Sequence, residues 1–108
     1  MPTQYSIGFM VSQIVKEGNT FIVDGRCVER PIRVGDVFDK VINVHMSKTA
    51  KTHGPAVMQE KASIALKVES IMAYQKKLTE LDTAMTGRLT LSGTGGDLVN
   101  PDEMLARI

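Results

Sequence analysis

The stretch from Asn19 to Phe38, NTFIVDGRCVERPIRVGDVF, restricts what this chain can fold into more than any other. It holds two apolar runs, Phe21 to Val23 and Val37 to Phe38, joined by a charged crossover that turns at Pro31 and Gly35. Phe21, Ile22 and Val23 are aromatic or β-branched, the types that suit a pleated, half-buried surface, and Asp24-Gly25 follows them with turn or bulge chemistry. Pro31 has no amide to give a sheet ladder, so the chain there belongs on an edge or outside the sheet. Gly35 before Asp36 offers a backbone free of the Cβ clash, as a tight turn into the next strand requires. The stretch predicts a β architecture.

The flanking sequence repeats that prediction. Ile7, Phe9 and Val11 alternate with Ser6, Gly8, Met10 and Ser12, which predicts a first strand over Tyr5 to Val15 with one buried face. Lys16-Glu17-Gly18-Asn19 reads as the turn of a hairpin. A third strand is expected from about Asp36 to Met46, with Val37, Val41 and Val44 toward the core and Phe38, Ile42 and Met46 on the opposite pleat. Periodicity is lost from Ser47 to Glu60, where Gly54-Pro55 excludes a regular element through the middle. It returns from Ser63 to Tyr74, with Ile64, Leu66 and Val68 on one face and Ala65, Lys67, Glu69 and Ile71 on the other. Gln75 to Asp82 reads as a helical turn or an apolar-anchored loop, Thr86 to Ser92 as a strand, and Gly93 to Asp97 as a flexible break. Met104 to Ile108 is expected as a closing strand, with a short helix starting at Asn100-Pro101 as the alternative.

Gly25-Arg26, Val28-Glu29-Arg30 and Ile32-Arg33-Val34-Gly35-Asp36 together resemble the signature of the small β-barrel found as domain 2 of translational GTPases of the elongation factor Tu type. In that family a Gly-Arg-Val-Glu strand end is followed by a glycine turn and an apolar-basic-x-Gly-acidic step. Here Cys27 is an extra residue, and Pro31 stands where the family usually has glycine. Val68, Ile71, Leu78, Leu81-Asp82, Gly87, Leu89, Leu91 and Gly93 resemble the end of the same barrel, so the likeness runs from Tyr5 to Leu105. It implies an all-β fold: a small closed or partly open antiparallel barrel of about six strands, forming one domain over residues 1–108. The GTPase domain is not part of this likeness, because no GxxxxGK[ST] occurs in the sequence.

Composition bounds the remaining function classes. The 108 residues suffice for one modest core, and 43% apolar with 23% charged residues is ordinary globular usage. A net charge of +1 gives no global pull toward nucleic acid or anionic lipid. A single cysteine, Cys27, fits a reducing compartment, and no apolar run approaches a bilayer span, so a cytoplasmic protein without membrane contact is expected. His45, His53 and Cys27 match no standard zinc spacing, and the glycine-rich run before Asp97 is read as a hairpin or linker rather than a phosphate cradle. No nucleophile–base pair, carboxylate pair or cofactor fingerprint is visible, so neither an enzyme nor a cofactor is expected. Seven methionines beside only 5% aromatic residues read mainly as core filling.

The candidate binding residues are Arg26, Arg30 and Arg33 in the crossover and Lys48, Lys51 and His53 in the long loop. The leading expectation is a non-catalytic interaction or assembly module that presents barrel loops to a protein partner or to a second copy of itself. The alternative is a ribosome- or RNA-associated domain. Barrels of the resembled family contact ribosomal or transfer RNA, and a local basic patch would bind phosphates in a salt-dependent way.

Overall fold

The computed structural model describes residues 7–28, 30–45 and 57–107. In chain order the elements are β1 (Ile7–Glu17), β2 (Thr20–Cys27), β3 (Ile32–Arg33), β4 (Val37–His45), β5 (Val57–Ala73), β6 (Lys76–Leu78), β7 (Glu80–Leu81), β8 (Thr86–Thr94), one 3₁₀ turn (Gly96–Leu98) and β9 (Glu103–Arg107). Neighbouring strands run β4-β9-β1-β2-β8-β5, and β5 pairs back onto β4, so six antiparallel strands close into a ring. This is the barrel expected from the sequence. Closure removes the free edges that would otherwise invite aggregation. β6 hangs from β5 outside the ring, and β3 with β7 forms a separate two-strand ladder. No helix among the described residues is long and apolar enough to cross a membrane.

The interior is filled by Phe9, Val11, Val23, Phe38, Val41, Leu66, Val68, Ile71, Leu89, Leu91 and Leu105, each at most 2% exposed. Burying each leucine or phenylalanine of this set stabilises the fold by roughly 1.5–3 kcal/mol. A smaller cluster of Ile42, Met104 and Ala106, joined by Met10 and Val28, packs apart from it. Methionine as core filler is thus seen at Met104, while Met72 stands 44% exposed.

Bulges explain where simple alternation misplaces residues. The β1–β2 register shifts between Val11 and Gln13, and Ser12, the extra residue, donates its hydroxyl to the Asp24 carbonyl at 2.9 Å. Asp24-Gly25 is therefore no turn; β2 continues through it to Cys27, and the bulge sits on the facing strand. A side chain at position 25 would put Cβ 1.9 Å from the Met10 carbonyl oxygen and 2.8 Å from the Phe9 ring, so glycine is required there. On β5 the register against β8 shifts between Val68 and Ser70. That shift turns Ile71 and Ala73 inward, correcting the outward face expected for Ile71. On β4 two register shifts against β5 place Phe38 and Val41 together in the main core and leave Val37 half-buried.

The crossover behaves as its residues dictate. Pro31 lies outside every strand, and Gly35, at φ 98°, donates its amide to the Val68 carbonyl at 2.8 Å. The Asp36 carboxylate accepts the Arg33 amide at 2.8 Å, which locks the glycine turn that launches β4. Further along, Gln75 to Asp82 forms β6 and β7 with Leu81 buried, so the single helical turn is replaced by an apolar-anchored connection. Gly93 to Asp97 is not a break but a close-packed corner, in which a side chain on Gly96 would meet the Phe21 ring at 2.5 Å.

The Asn100-Pro101 helix gives way to a turn with Asp102 at φ 71° and the Glu103 amide donating to the Asn100 carbonyl at 3.2 Å. This is the type II arrangement, with proline second. The closing strand follows it as expected. Buried Glu103 accepts Lys61 Nζ at 2.9 Å and the Asn100 amide at 2.8 Å, and Lys61 also donates to the Leu98 carbonyl at 2.8 Å.

Candidate functional site

Strand direction divides the barrel into two rims. β1, β4 and β8 start at one rim, where β2, β5 and β9 end; this lower rim carries the 28–36 crossover and the 74–85 connection. The upper rim carries the Gly18-Asn19 turn, the anchors of the 46–56 segment and the 95–102 corner. Because the interior is packed, chemistry is confined to the rims and the outer wall.

Arg26, Arg30 and Arg33 all belong to the lower half. Arg26 is exposed on the outer wall, opposite Met10 on one side and Thr86 on the other. Arg30 is exposed while its backbone bridges to Ile7, and its carbonyl accepts the buried Cys27 thiol at 3.3 Å. Arg33 donates Nε to Glu80 Oε1 at 2.9 Å. That hydrogen bond, then the Glu80 charge, raises the guanidinium above its ordinary pKa. Lys48, Lys51 and His53 lie outside the described residues. Their segment leaves from His45 and returns at Val57, the far ends of strands whose other ends adjoin the crossover. The 9 residues of β4 separate these anchors from the crossover, a rise of roughly 25–30 Å at about 3.3 Å per residue.

The structure draws attention to Tyr74, which alternation places at a strand end, and to Gln75, which the sequence reads as the start of a helical turn or an apolar-anchored loop. Tyr74 and Gln75 form the two-residue turn between β5 and β6, both left-handed, at φ 53° and 62°. This is the type I′ pattern, which favours Asn-Gly. Without either residue the turn is invisible in the sequence, and Tyr74 is not spent on a strand but stands 78% exposed.

Cross-strand register then defines the neighbouring wall. One row across β1, β2, β8, β5 and β6 reads Gln13, Asp24, Arg88, Met72 and Lys77, and the row nearer the rim holds Met10, Arg26 and Thr86. Arg88 grips Asp24 with two bonds, Nε to Oδ1 at 2.7 Å and Nη2 to Oδ2 at 3.2 Å, and the pairing raises its pKa. Arg26, Lys76 and Lys77 are exposed and make no ion pair with any described residue.

Two open hollows meet at Thr86. One, of about 430 Å³, is lined by Asp24, Met72, Tyr74, Gln75 and Arg88. The other, of about 330 Å³, is lined by Met10, Ser12, Arg26 and Asp102. Both are open to solvent on the lower wall. A third hollow of about 630 Å³ lies at the upper rim beside the glycine-rich corner. There Lys16 is 3.6 Å from Asp97 and 5.9 Å from the Phe21 ring centre, so the cation a phosphate would need already faces a carboxylate. Among the described residues no group of His, Cys, Asp and Glu is placed to hold a metal.

No protein-family model matches the chain, and no curated protein sequence matches it. Solved structures do match. Translation elongation factor SelB from Methanococcus maripaludis, both in its apo form and in complex with the GTP analogue GppNHp, superimposes with a TM-score of 0.67 at 15% identity. Each match covers 96% of this chain and 19% of that chain, so the whole barrel corresponds to about a fifth of the elongation factor. At that identity the likeness is one of fold. The chain shares its β-barrel fold with part of this translation elongation factor, and a small antiparallel barrel is the architecture that its motifs between Gly25 and Asp36 imply.

Proposed function

We propose that this barrel is a non-catalytic interaction module that presents its lower rim and adjoining wall to a protein partner. The observation that carries the reading is the disposition of Tyr74. An aromatic ring held 78% exposed on a left-handed turn, beside exposed Met72, adds little to the core, yet it suits an interface. The packed interior supports the non-catalytic part of the reading, because among the described residues the core side chains fill the barrel and the hollows described above are open to solvent. Its resemblance to an elongation-factor domain supports a setting in translation. That setting also favours a second reading, a ribosome- or RNA-associated domain using Arg26, Arg30 and Arg33, with Lys48, Lys51 and His53 as further cations.

Recovery of the tagged protein from its host lysate, with and without ribonuclease, separates the two. A defined protein that stays bound after ribonuclease supports the interaction module. Ribosomal proteins or transfer RNA that vanish on treatment support the RNA reading. An empty recovery refutes both.

A further inference from the structure

We infer that the β5–β6 hairpin carries a cleavage site: a protease whose specificity pocket takes a basic side chain cuts after Lys76 or Lys77 and leaves the barrel ring closed. The cleavage does not depend on what the lower rim binds.

The side chains meet the first requirement. From Tyr74 to Thr79 every residue is exposed except half-buried Leu78. Neither Lys76 nor Lys77 makes an ion pair with a described residue, so neither ammonium group has to leave a carboxylate to enter such a pocket. Lys16, Arg33, Lys40, Lys61 and Arg88 are each held by an acidic side chain.

The backbone meets the second. A protease takes its substrate as an extended strand with free main-chain groups, so a residue inside a ladder must first leave it. β6 lies outside the ring and pairs with β5 alone, and the turn that joins them holds Tyr74 and Gln75 in left-handed backbone, which release relieves. The next anchors are buried Ala73 on one side and, on the other, the Thr79 carbonyl, which accepts the Val34 amide at 3.1 Å, followed by buried Leu81. Release of Tyr74 to Leu78 therefore presents both lysines in the middle of a free stretch.

Other cations fail the second requirement. Arg26 is paired to Met10 and Thr86, Lys40 to Ser63 and Ala106, Lys67 to Val37 and Ser92, and Arg88 to Asp24 and Met72, each with a strand on both sides. Arg33 adjoins Ile32, which with the facing Leu81 is fully buried, so freeing it opens the core. Lys16 faces Phe21, another core residue, in register.

Water is the second reactant. The C–N bond after the lysine breaks, the hydroxyl of water adds to the lysine carbonyl carbon to give a carboxylate, and its hydrogen goes to the departing nitrogen to give an amine. Afterwards β5 is still paired with β4 and β8, β8 with β2, and β9 with β1 and β4, so both fragments stay in the ring. The cut does take apart the turn that displays Tyr74. On the reading above, it switches off that surface without unfolding the barrel.

The test exposes the full chain to trypsin, stops while most of it is intact, and assigns each first cut by fragment mass. Mass also separates cuts at Lys48 and Lys51, which lie outside the described residues. Cutting after Lys76 or Lys77 should be at least about a hundredfold faster than after Arg26, Lys40, Lys67 or Arg88, because cleavage tracks the population of the open form. A peptide of residues 70–82 corrects for the effect of urea on the enzyme. In ~1 M urea the hairpin cut should then change by less than about twofold and the ring-strand cuts rise about fivefold or more, since urea sensitivity scales with the surface exposed. The nicked chain should elute as one folded species, and the Lys76→Gln, Lys77→Gln double variant should lose the cut at an unchanged melting temperature. A faster cut after Lys16 or Arg33, or rates equal to those of the ring strands, would overturn the inference. So would a hairpin cut as steep in urea as the ring cuts, or fragments that separate. None of these outcomes bears on recovery of a partner from lysate, so the two readings fail separately.

Discussion

Replacing Tyr74-Gln75 by Asn-Gly should make the protein more stable, against the usual direction of mutation. Both residues occupy left-handed backbone, at φ 53° and 62°, and such geometry costs an L-residue with an ordinary side chain roughly 1–2 kcal/mol. Asn-Gly is the pair that type I′ hairpins select, so the exchange relieves about 3 kcal/mol of strain across the two positions. Against this stand two losses. Tyr74 is 78% exposed, so removing its ring surrenders only about a fifth of its area, worth ~1 kcal/mol at about 25 cal/mol per Å². Glycine adds freedom to the unfolded chain worth roughly another 0.5–1 kcal/mol. The net is a gain of about 1 kcal/mol, or ~4 °C in melting temperature for a chain of this size. Urea denaturation followed by circular dichroism measures it through the midpoint at constant slope. A variant less stable than wild type refutes the reasoning, because it would mean that the ring contributes more to the fold than its exposure allows.

Three further outcomes follow from local geometry. Gly25→Ala would force Cβ to within 1.9 Å of the Met10 carbonyl, so the β1 bulge must shift; a loss of roughly 3 kcal/mol or more in the same denaturation assay is expected. Lys61→Met leaves buried Glu103 with the Asn100 amide as its remaining partner. A loss of about 1–3 kcal/mol is expected, largely recovered in the Lys61→Met, Glu103→Gln double variant, as a double-mutant cycle reports. Arg33→Gln breaks an ion pair exposed to solvent on both sides, and the melting temperature in physiological salt should stay unchanged, because water and ions already screen that pair.

Much of the fold is legible in the residues because its alternation is unbroken wherever the strands are regular. Ile7, Phe9 and Val11, then Phe21 and Val23, then Leu89 and Leu91 all point inward as a period of two requires. Pro31 and Gly35 mark the crossover, and Asp36 has a visible structural task in accepting the Arg33 amide. What alternation cannot carry is an inserted residue. The bulges near Ser12 and Glu69 leave no composition signal, and one of them moves Ile71 from the expected outer face into the core. The candidate surface was legible only in part for a similar reason. Arg26, Arg30 and Arg33 could be named from their charge, but the exposure of Tyr74 depends on a turn built from residues that do not announce one. The two hollows bring Met72 beside Thr86, and Met10 and Arg26 beside Thr86, through register, which no local pattern encodes.

The barrel tolerates a strained turn at this place because the turn lies outside the closed ring. β6 touches the sheet through three residue pairs with β5 alone, Ile71 with Leu78, Met72 with Lys77 and Ala73 with Lys76. β5 is held independently by β4 and β8 along most of its length. Opening the 74–78 hairpin therefore breaks few ladder bonds and exposes half-buried Leu78 while the ring stays intact. Hydrogen exchange should register this as a local event, with the β6 amides exchanging at least about a hundredfold faster than those of the β5–β8 ladder, a gap of ~3 kcal/mol or more in opening free energy. Replacing Tyr74-Gln75 by Asn-Gly should raise both opening free energies by about the same ~1 kcal/mol and leave that gap unchanged, since it stabilises the closed hairpin against the locally opened and the unfolded states alike. Equal protection of β6 and the ring would mean that the hairpin opens only with the whole barrel. The strain at Tyr74 would then be borne by the entire fold, and a readily adjustable ring at the edge of the hollow that it lines would be excluded.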